Sequence, residues 1–382
     1  MGAAQFRVWF GTVQASADDL DRIEEIEVTQ ELDRFWEARI RMTMCLDAQG
    51  RWQHRPDTQA APFSRVRVEL DPGSGSFVPL IDGPVSRFES RLDSQPGRST
   101  ATFAVRDDSV LLDREHGTEI FRDKTDSQVA EELLRSVPAI ADVRADPPTS
   151  ATHPITTRRG TRLTLLAQLA HANARRAYVL PGTTPGQSIG CFLPDPEEAD
   201  PSLPTLKLIG DGRNLADATI EEDSESPERS QGATLSLQNG HITSFESSAS
   251  DLSISGDAPV LPDDDTPSRL LPPADALRED LTDATERRAR DAAYAFKLTS
   301  RVVPGCYAAV LIPYRKVRVE CGSTPYSGTY LLTKVVHTIT PSVWTQHFEA
   351  RSDGRTTVPA APVVEAPGGG LSVSFSASVG VF

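Results

Sequence analysis

The stretch whose letters match a catalytic signature is Gly186-Gln187-Ser188-Ile189-Gly190, the G-x-S-x-G pattern in which a strained strand-to-helix turn presents a serine nucleophile. That chemistry needs a helix directly after the serine, then an acid and a histidine further along the chain. The residues after Gly190 are CFLPDP, which cannot open a helix, and His241, His337 and His347 follow with no acid placed to orient them. The stretch reads as a hairpin turn, with a serine hydrolase using Ser188 as the alternative.

Carboxylate runs at Asp18, Asp19 and Asp21, and at Asp263, Asp264 and Asp265, could in principle hold calcium or serve as acid and base. A calcium loop requires alternating ligands, a central glycine and a distal glutamate, and neither run has them, so both read as solvated loops. Arg158, Arg159 and Arg162 precede a helix and could meet a phosphate there, but no glycine cradle accompanies them. A rim contact to an acidic neighbour is the commoner outcome. His116 in DREHGTEIF reads as a turn residue. The seven histidines are dispersed, and Cys45, Cys191, Cys306 and Cys321 form no CxxC pair, which suits reduced thiols, with a Cys306–Cys321 bridge as a lesser possibility. No catalytic, cofactor-binding or metal-ligating residue is assigned; no enzyme activity and no cofactor are expected.

Positioning elements follow from composition and period. The 382 residues are enough for two or three domains, and 39 basic against 54 acidic residues give a net charge of −15, which disfavours nucleic-acid binding. No run approaches the roughly 18 apolar residues of a membrane span, and the N-terminus lacks a signal region, so assembly in the cytoplasm is expected. From Trp36 to Leu46 the even positions are apolar and Glu37, Arg39, Arg41 and Thr43 intervene, the period of a half-buried strand. Similar runs, and a DPGSGS turn between two of them, fill residues 1–112.

Helix periodicity appears at TDSQVAEELLRSV, where Thr125 and Gln128 have capping-box spacing, and over TRLTLLAQLAHANARR, where Leu163, Leu166, Ala167 and Ala170 make the expected core stripe and Arg175 and Arg176 sit at the cation-favouring end. AYVLP and IGCFLPD then read as a hairpin. Strands resume after residue 205, interrupted by acidic stretches EEDSESPERSQG and LPDDDTPSRLLPP read as loops. A helix is expected from about Ala274 to Tyr294, with Asp283–Arg287 and Glu286–Arg290 pairs. The fold class is mainly β (α+β): two antiparallel β-barrel-like domains at 1–112 and 205–353, a small α/β insertion at 113–204, and a Pro/Gly linker with a C-terminal strand at 354–382.

This order, together with LIDGPVSRFES, FRDKTDSQVAEELL, TRRGTRLTLLAQLAHANARRAYVL and VRVECGSTPYSGTYLLTKVVHTIT…TQHFEARSDG, resembles the late control protein D family of contractile phage tails. The same module forms the N-terminal hub part of VgrG proteins in type VI secretion. The resemblance covers about residues 5–353. It implies a structural baseplate hub: a homotrimer acting as symmetry adaptor between a sixfold tail tube and a threefold spike, with a tail tube protein, a separate spike protein and other baseplate proteins as partners. The chain has neither a β-helix spike nor a lysozyme-like domain after the module, so the spike is expected on a separate polypeptide. The implied location is a phage tail or contractile injection particle. A tail-tip protein that binds a host surface is a second alternative built from the same β composition.

Two further expectations concern assembly. The axial channel of the trimer should be acidic or neutral, because a −15 chain has few bases to line it. Beyond TTVPAAPVVEAPGGG, Leu371, Val373, Phe375, Ala377, Val379 and Val381 alternate with Ser372, Ser374, Ser376, Ser378 and Gly380. Residues 371–381 are expected to add as a strand to another chain.

Overall fold

The computed structural model describes residues 4–53, 61–95, 97–146, 152–235, 240–261, 265–271 and 281–357. The first third supplies β1 (Gln5–Phe10), β2 (Val13–Gln14), α1 (Ala17–Leu20), β3 (Ile23–Glu31), β4 (Glu37–Thr43), β5 (Cys45–Leu46), β6 (Trp52–Gln53), β7 (Arg65–Asp71), β8 (Val78–Arg91) and β9 (Thr100–Arg106). Alternation dictates these strands: Ala38, Ile40 and Met42 of β4 are buried, while Arg39 and Arg41 face water. The run breaks at Leu46, which is exposed. The DPGSGS stretch makes the β7–β8 turn, where the Asp71 carboxylate accepts the N–H groups of Gly73, Ser74 and Gly75. Strand β8 pairs with β7 from Val78 through Gly83 to Pro84 and with β9 from Val85 onward. Glycine is required at that corner, since a Cβ on Gly83 would lie 1.8 Å from the Arg106 carbonyl oxygen.

The middle third contains β10 (Gly117–Lys124), α2 (Asp126–Arg135), β11 (Ile140–Ala145), β12 (His153–Gly160), α3 (Arg162–Ala172), β13 (Arg176–Pro181) and β14 (Ser188–Leu193). Helix α2 starts at the expected capping box of Thr125 and Gln128 and buries Val129, Ala130, Leu133 and Leu134. Helix α3 departs from its expected stripe. Its core face is Leu165, Leu166, Leu169 and Ala170, whereas Leu163 is half-buried and Ala167 exposed. The helix is apolar on more than one side, so the pattern alone could not choose the inward face. It also ends at Ala172, before Arg175 and Arg176; Arg176 opens strand β13. The β13–β14 hairpin forms as expected, and β11 joins β14 in parallel.

The last third contributes β15 (Leu206–Lys207), β16 (Leu215–Glu222), β17 (Arg229–Leu235), β18 (Ile242–Ser247), β19 (Ala258–Pro259), β20 (Ser268–Leu270), α4 (Leu281–Ala293), β21 (Phe296–Val302), β22 (Lys316–Glu320), β23 (Gly328–Ile339), β24 (Trp344–Ser352) and β25 (Gly354–Arg355). Parts of the two acidic stretches are ordered as strand, since β17 pairs with β20 in parallel and with β18 antiparallel. Phe245, Leu271 and Ala284 of α4 form a small apolar cluster with this three-stranded sheet. Within α4, Glu286 and Arg290 form no ion pair among the described residues, and Arg287 instead turns inward to donate to the His171 carbonyl at 2.6 Å. The Asp283 side chain, residues 274–280 of the expected helix and the strand expected at 371–381 lie outside the described residues.

The architecture is mainly β, dominated by a large curled sheet in the order β16-β21-β24-β23-β3-β4-β9-β8-β7-β1-β2, antiparallel throughout this path. Strand β22 joins β23 and carries β15 in parallel. The ladder between β3 and β23, with Thr29 opposite Val336 and Val28 opposite His337, joins strands from opposite ends of the chain. One apolar cluster gathers Ile26, Trp36, Ile40, Val68 and Phe103 with Tyr314 and Leu331, and a second gathers Phe296, Leu298, Val317, Tyr330 and Phe348. The middle third has its own cluster around Leu133, Leu134, Leu166 and Phe192.

Candidate functional site: an ion-pair seam beside a cleft

Ser188 opens strand β14 and is followed by strand rather than helix. Its side chain is buried, and its hydroxyl donates to Asp108 Oδ2 at 2.6 Å, with Arg65 Nη2 at 3.3 Å. These partners make the serine a structural donor, because no imidazole accepts its proton and the strained elbow that exposes a nucleophile is absent here.

The groups around Ser188 form a seam between β7, β8 and the β13–β14 turn. Arg65 holds Asp108 through two bonds of 2.9 and 2.6 Å and donates to Asp82 at 2.8 Å. Arg67, only 2 % exposed, donates to Glu69 at 2.7 Å, to Asp82 at 3.0 Å and to the Gly182 carbonyl at 2.7 Å. The Gly186 N–H also reaches Asp82, at 2.9 Å, and Trp9 donates to Glu69. Burial acts against a charged Arg65, but its bonds and proximity to Asp108 and Asp82 hold its pKa above the ordinary value. Charges this deeply buried persist only when paired and hydrogen-bonded, and here the pairing stitches the middle third to the large sheet.

Next in sequence, Asp107 accepts from the backbone N–H groups of Trp36 and Ser109 at 2.5 and 2.8 Å and from the Ser109 hydroxyl. Full burial pushes its pKa up to about 6 against these bonds.

Asp107 also borders a cleft of about 680 Å³ between the β3–β4 connection, helix α3 with β13, and helix α4. Arg176 stands in its wall and reaches Asp33 at 2.7 Å, Asp195 at 3.1 Å and Asp291 at 3.4 Å. Burial opposes its charge, but Asp195, Asp33 and Asp291 together raise its pKa. Beside it Tyr178 stacks on Tyr314 with ring centroids 3.6 Å apart. Tyr314 adopts a left-handed backbone (φ 64°), which an aromatic residue rarely does, and its hydroxyl accepts the Asp33 N–H at 2.8 Å. Leu163 and Ala167 line this cleft, which accounts for their absence from the core face of α3.

The other residues singled out from sequence do not converge. Asp19 closes a capping box with Ser16 on the four-residue helix α1, and of the second acidic run only Asp265 is described, as an exposed residue. Arg158 points inward to Glu119 and to the Glu115 and Gly160 carbonyls, Arg162 meets Glu115, and Arg159 faces water. His116 is exposed. Cys306 is exposed, Cys321 is buried, and the two are unbridged. His337 is fully buried in β23, and burial lowers its pKa to about 3. Among the described residues no group of three or more His, Cys, Asp or Glu side chains is placed to hold a metal ion, and no helix is long and apolar enough to cross a membrane.

Sequence reasoning missed the seam because residues 64–70 (SRVRVEL) fall among the period-two runs of residues 1–112, whose pattern implies one wet face. In the structure every residue from Val66 to Asp71 is buried. The available signal was Arg67 and Glu69 at period two on one strand, followed by Asp82 inside the apolar run of the next strand.

No protein-family model and no curated relative matches the chain. Solved structures do. A tail protein from Neisseria meningitidis superposes with a TM-score of 0.62 at 13% identity, covering 92% of this chain and 97% of that one. A 43 kDa tail protein of prophage MuSo2 from Shewanella oneidensis gives 0.62 at 12% identity, with coverage of 91% and 98%. An Escherichia coli component of the type VI secretion system, described as structurally similar to bacteriophage T4 tail proteins, gives 0.53 at 12% identity, covering 88% of this chain and 77% of that one. This chain shares a fold with the two tail proteins across nearly their whole length, and with the type VI secretion component across about three quarters of that protein.

Proposed function

We propose that the chain is a structural baseplate hub of a contractile tail or injection system, a homotrimer that adapts a sixfold tail tube to a threefold spike. The observation that carries this reading is the fold shared with two tail proteins, one of them from a prophage, each covered almost completely. Tail tube protein, a separate spike protein and other baseplate proteins are its partners, and it resides in the particle after assembly in the cytoplasm. The division at residues 112, 204 and 353 belongs to the same proposal, as do the acidic or neutral channel and the docking of residues 371–381 on another chain.

A non-enzymatic role is supported by the neighbours, which are tail proteins, and by Ser188, whose hydroxyl is engaged by Asp108. Mass photometry of the full chain, followed by co-purification with the tube and spike proteins encoded beside it, tests the reading. A trimer that retains both supports it. A monomer that retains neither but binds host surface polysaccharide sinks it in favour of a tail-tip protein.

A further inference from the structure

The sheet β11-β14-β13 ends on β13, and the backbone of that strand has an open side. On β14 the Ser188 N–H donates to the Ala139 carbonyl and the Phe192 carbonyl accepts from the Asp146 N–H, so both residues turn their backbone groups toward the β11 side. Their ladder partners on β13 are Pro181 and Ala177, with Val179 opposite Gly190 between them. In an antiparallel pair such positions alternate with the bonded ones, so Ala177 and Val179 turn their own N–H and C=O groups away from β14. Among the described residues none of these four groups has a hydrogen-bond partner. Backbone groups are seldom left so, and Val179 is only 3% exposed. The side they face is the cleft. Residues Ala174 to Val179 line it consecutively, without regard to parity, as they must where a strand shows its edge and not one of its faces.

The two faces beside this edge differ in character. Ala177 and Val179 project into the apolar cluster of α3, which continues into the cleft wall as Leu163, Ala167 and Ala170. Arg176 projects the other way, among Asp33, Asp195 and Asp291. A strand laid on the edge therefore needs apolar side chains at one parity and polar ones at the other, and no charge of its own, since Arg176 already has its carboxylates. Residues 371–381 have that composition: Leu371, Val373, Phe375, Ala377, Val379 and Val381 alternate with four serines and Gly380, and none is charged.

We propose that residues 371–381 of a neighbouring copy add as a strand to the open edge of β13, with their apolar side chains toward α3 and their serines toward Arg176. The inference rests on the reading above, in which these residues dock on another chain, and assigns the acceptor. Ala177 and Val179 each supply one donor and one acceptor, and main-chain bonds of this kind give affinity while the alternate side chains set register. The described chain stops at Thr357, and residues 358–370, rich in proline and glycine, reach up to about 43 Å when extended, more than the roughly 30 Å diameter of a small domain. Pairing also removes an unprotected strand edge from the finished particle.

Hydrogen–deuterium exchange of the full chain, with its mass in solution followed in parallel, tests the contact. In the trimer the amides of residues 371–381, and those of Ala177 and Val179, are expected to exchange about 100-fold or more slowly than in an unstructured peptide. Ala177→Pro deletes an N–H that β14 does not use, a substitution an edge strand accepts. It should return residues 371–381 to within about threefold of the unstructured rate, with the far-UV spectrum and Tm unchanged. Should that variant lose its fold, Val373→Asp with Phe375→Asp decides, and should free the Ala177 and Val179 amides. Free exchange of residues 371–381 in an unmodified trimer, or protection that persists in a folded Ala177→Pro chain, overturns the acceptor and leaves the trimer reading intact. Protection lost as the trimer is diluted apart supports donation between copies; protection kept in the dissociated chain means that the tail docks on its own copy and overturns that donation. An unmodified chain that is monomeric throughout overturns the trimer reading and the contact with it.

Discussion

Ser188 gives its hydroxyl hydrogen to Asp108 at 2.6 Å, and Arg65 clasps the same carboxylate through both of its terminal nitrogens. The two donors are unequal in consequence. Ser188→Ala removes one neutral donor and should cost about 1 kcal/mol in urea unfolding, whereas Asp108→Ala strands a partly buried guanidinium and should cost roughly 3–5 kcal/mol. Equal losses would mean that the seam does not depend on the ion pair. Ester hydrolysis that disappears in Ser188→Ala would reinstate the hydrolase.

Gly83→Ala should be among the most damaging single-methyl additions in the chain. The new carbon would meet a backbone oxygen 1.8 Å away at the corner where β8 changes partners, and backbone cannot swing aside as a flexible side chain can. A loss of more than about 2 kcal/mol, or failure to fold, is expected by chemical denaturation. A variant that unfolds with the native midpoint would show the corner to be pliable.

Alternation was legible where one strand face is wet, as from Ala38 to Met42, and helix starts were legible where a cap is written out, as at Thr125 and Gln128. Strand partners were not. Period two tells which side chains of β3 and β23 point inward, but nothing in either stretch says that Thr29 will lie opposite Val336. The seam stayed hidden for a related reason: Arg67 has the period of a solvent-facing residue and is buried because Glu69, Asp82 and a backbone carbonyl from another part of the chain surround it. Ala167 gave the reverse error, since a small apolar residue on a cleft wall has the same pattern as one in a core.

Acid stability should report on His337. Its folded pKa of about 3 lies below the ordinary 6.5, so the unfolded chain takes up a proton that the folded chain refuses, and this contribution, whole above about pH 6.5, is lost as pH falls toward 3. Asp107 acts oppositely. Its folded pKa of about 6 exceeds 3.8, so its contribution is whole below about pH 4 and is lost as pH rises to 6. In His337→Gln, stability relative to the unmodified chain should rise by about 1.4 kcal/mol per unit as pH falls from 6 to 4. A pH-independent difference would show that His337 protonates freely in the folded chain.

Arg176→Ala would leave Asp33, Asp195 and Asp291 facing one another without their shared cation. A loss of about 1–3 kcal/mol is expected, partly restored by salt, which screens the remaining like charges. Arg176→Lys should recover less than half of it, because an ammonium cannot fork between three carboxylates. Full rescue by lysine would reduce the clasp to simple charge.

The β3–β23 ladder also sets a timetable for biosynthesis. When β3 and β4 leave the ribosome, the strand that will cover the outer edge of β3 is still roughly 300 residues from being made, which at about 5–20 residues per second is a delay on the order of 15–60 s. Throughout that interval the nascent chain carries an open edge of nine residues, Ile23 to Glu31, in which Ile26 and Val28 alternate with glutamates. Folding must therefore be largely post-translational and slow, and yield in the cell should respond to chaperone supply and to temperature more steeply than the stability of the finished sheet would suggest.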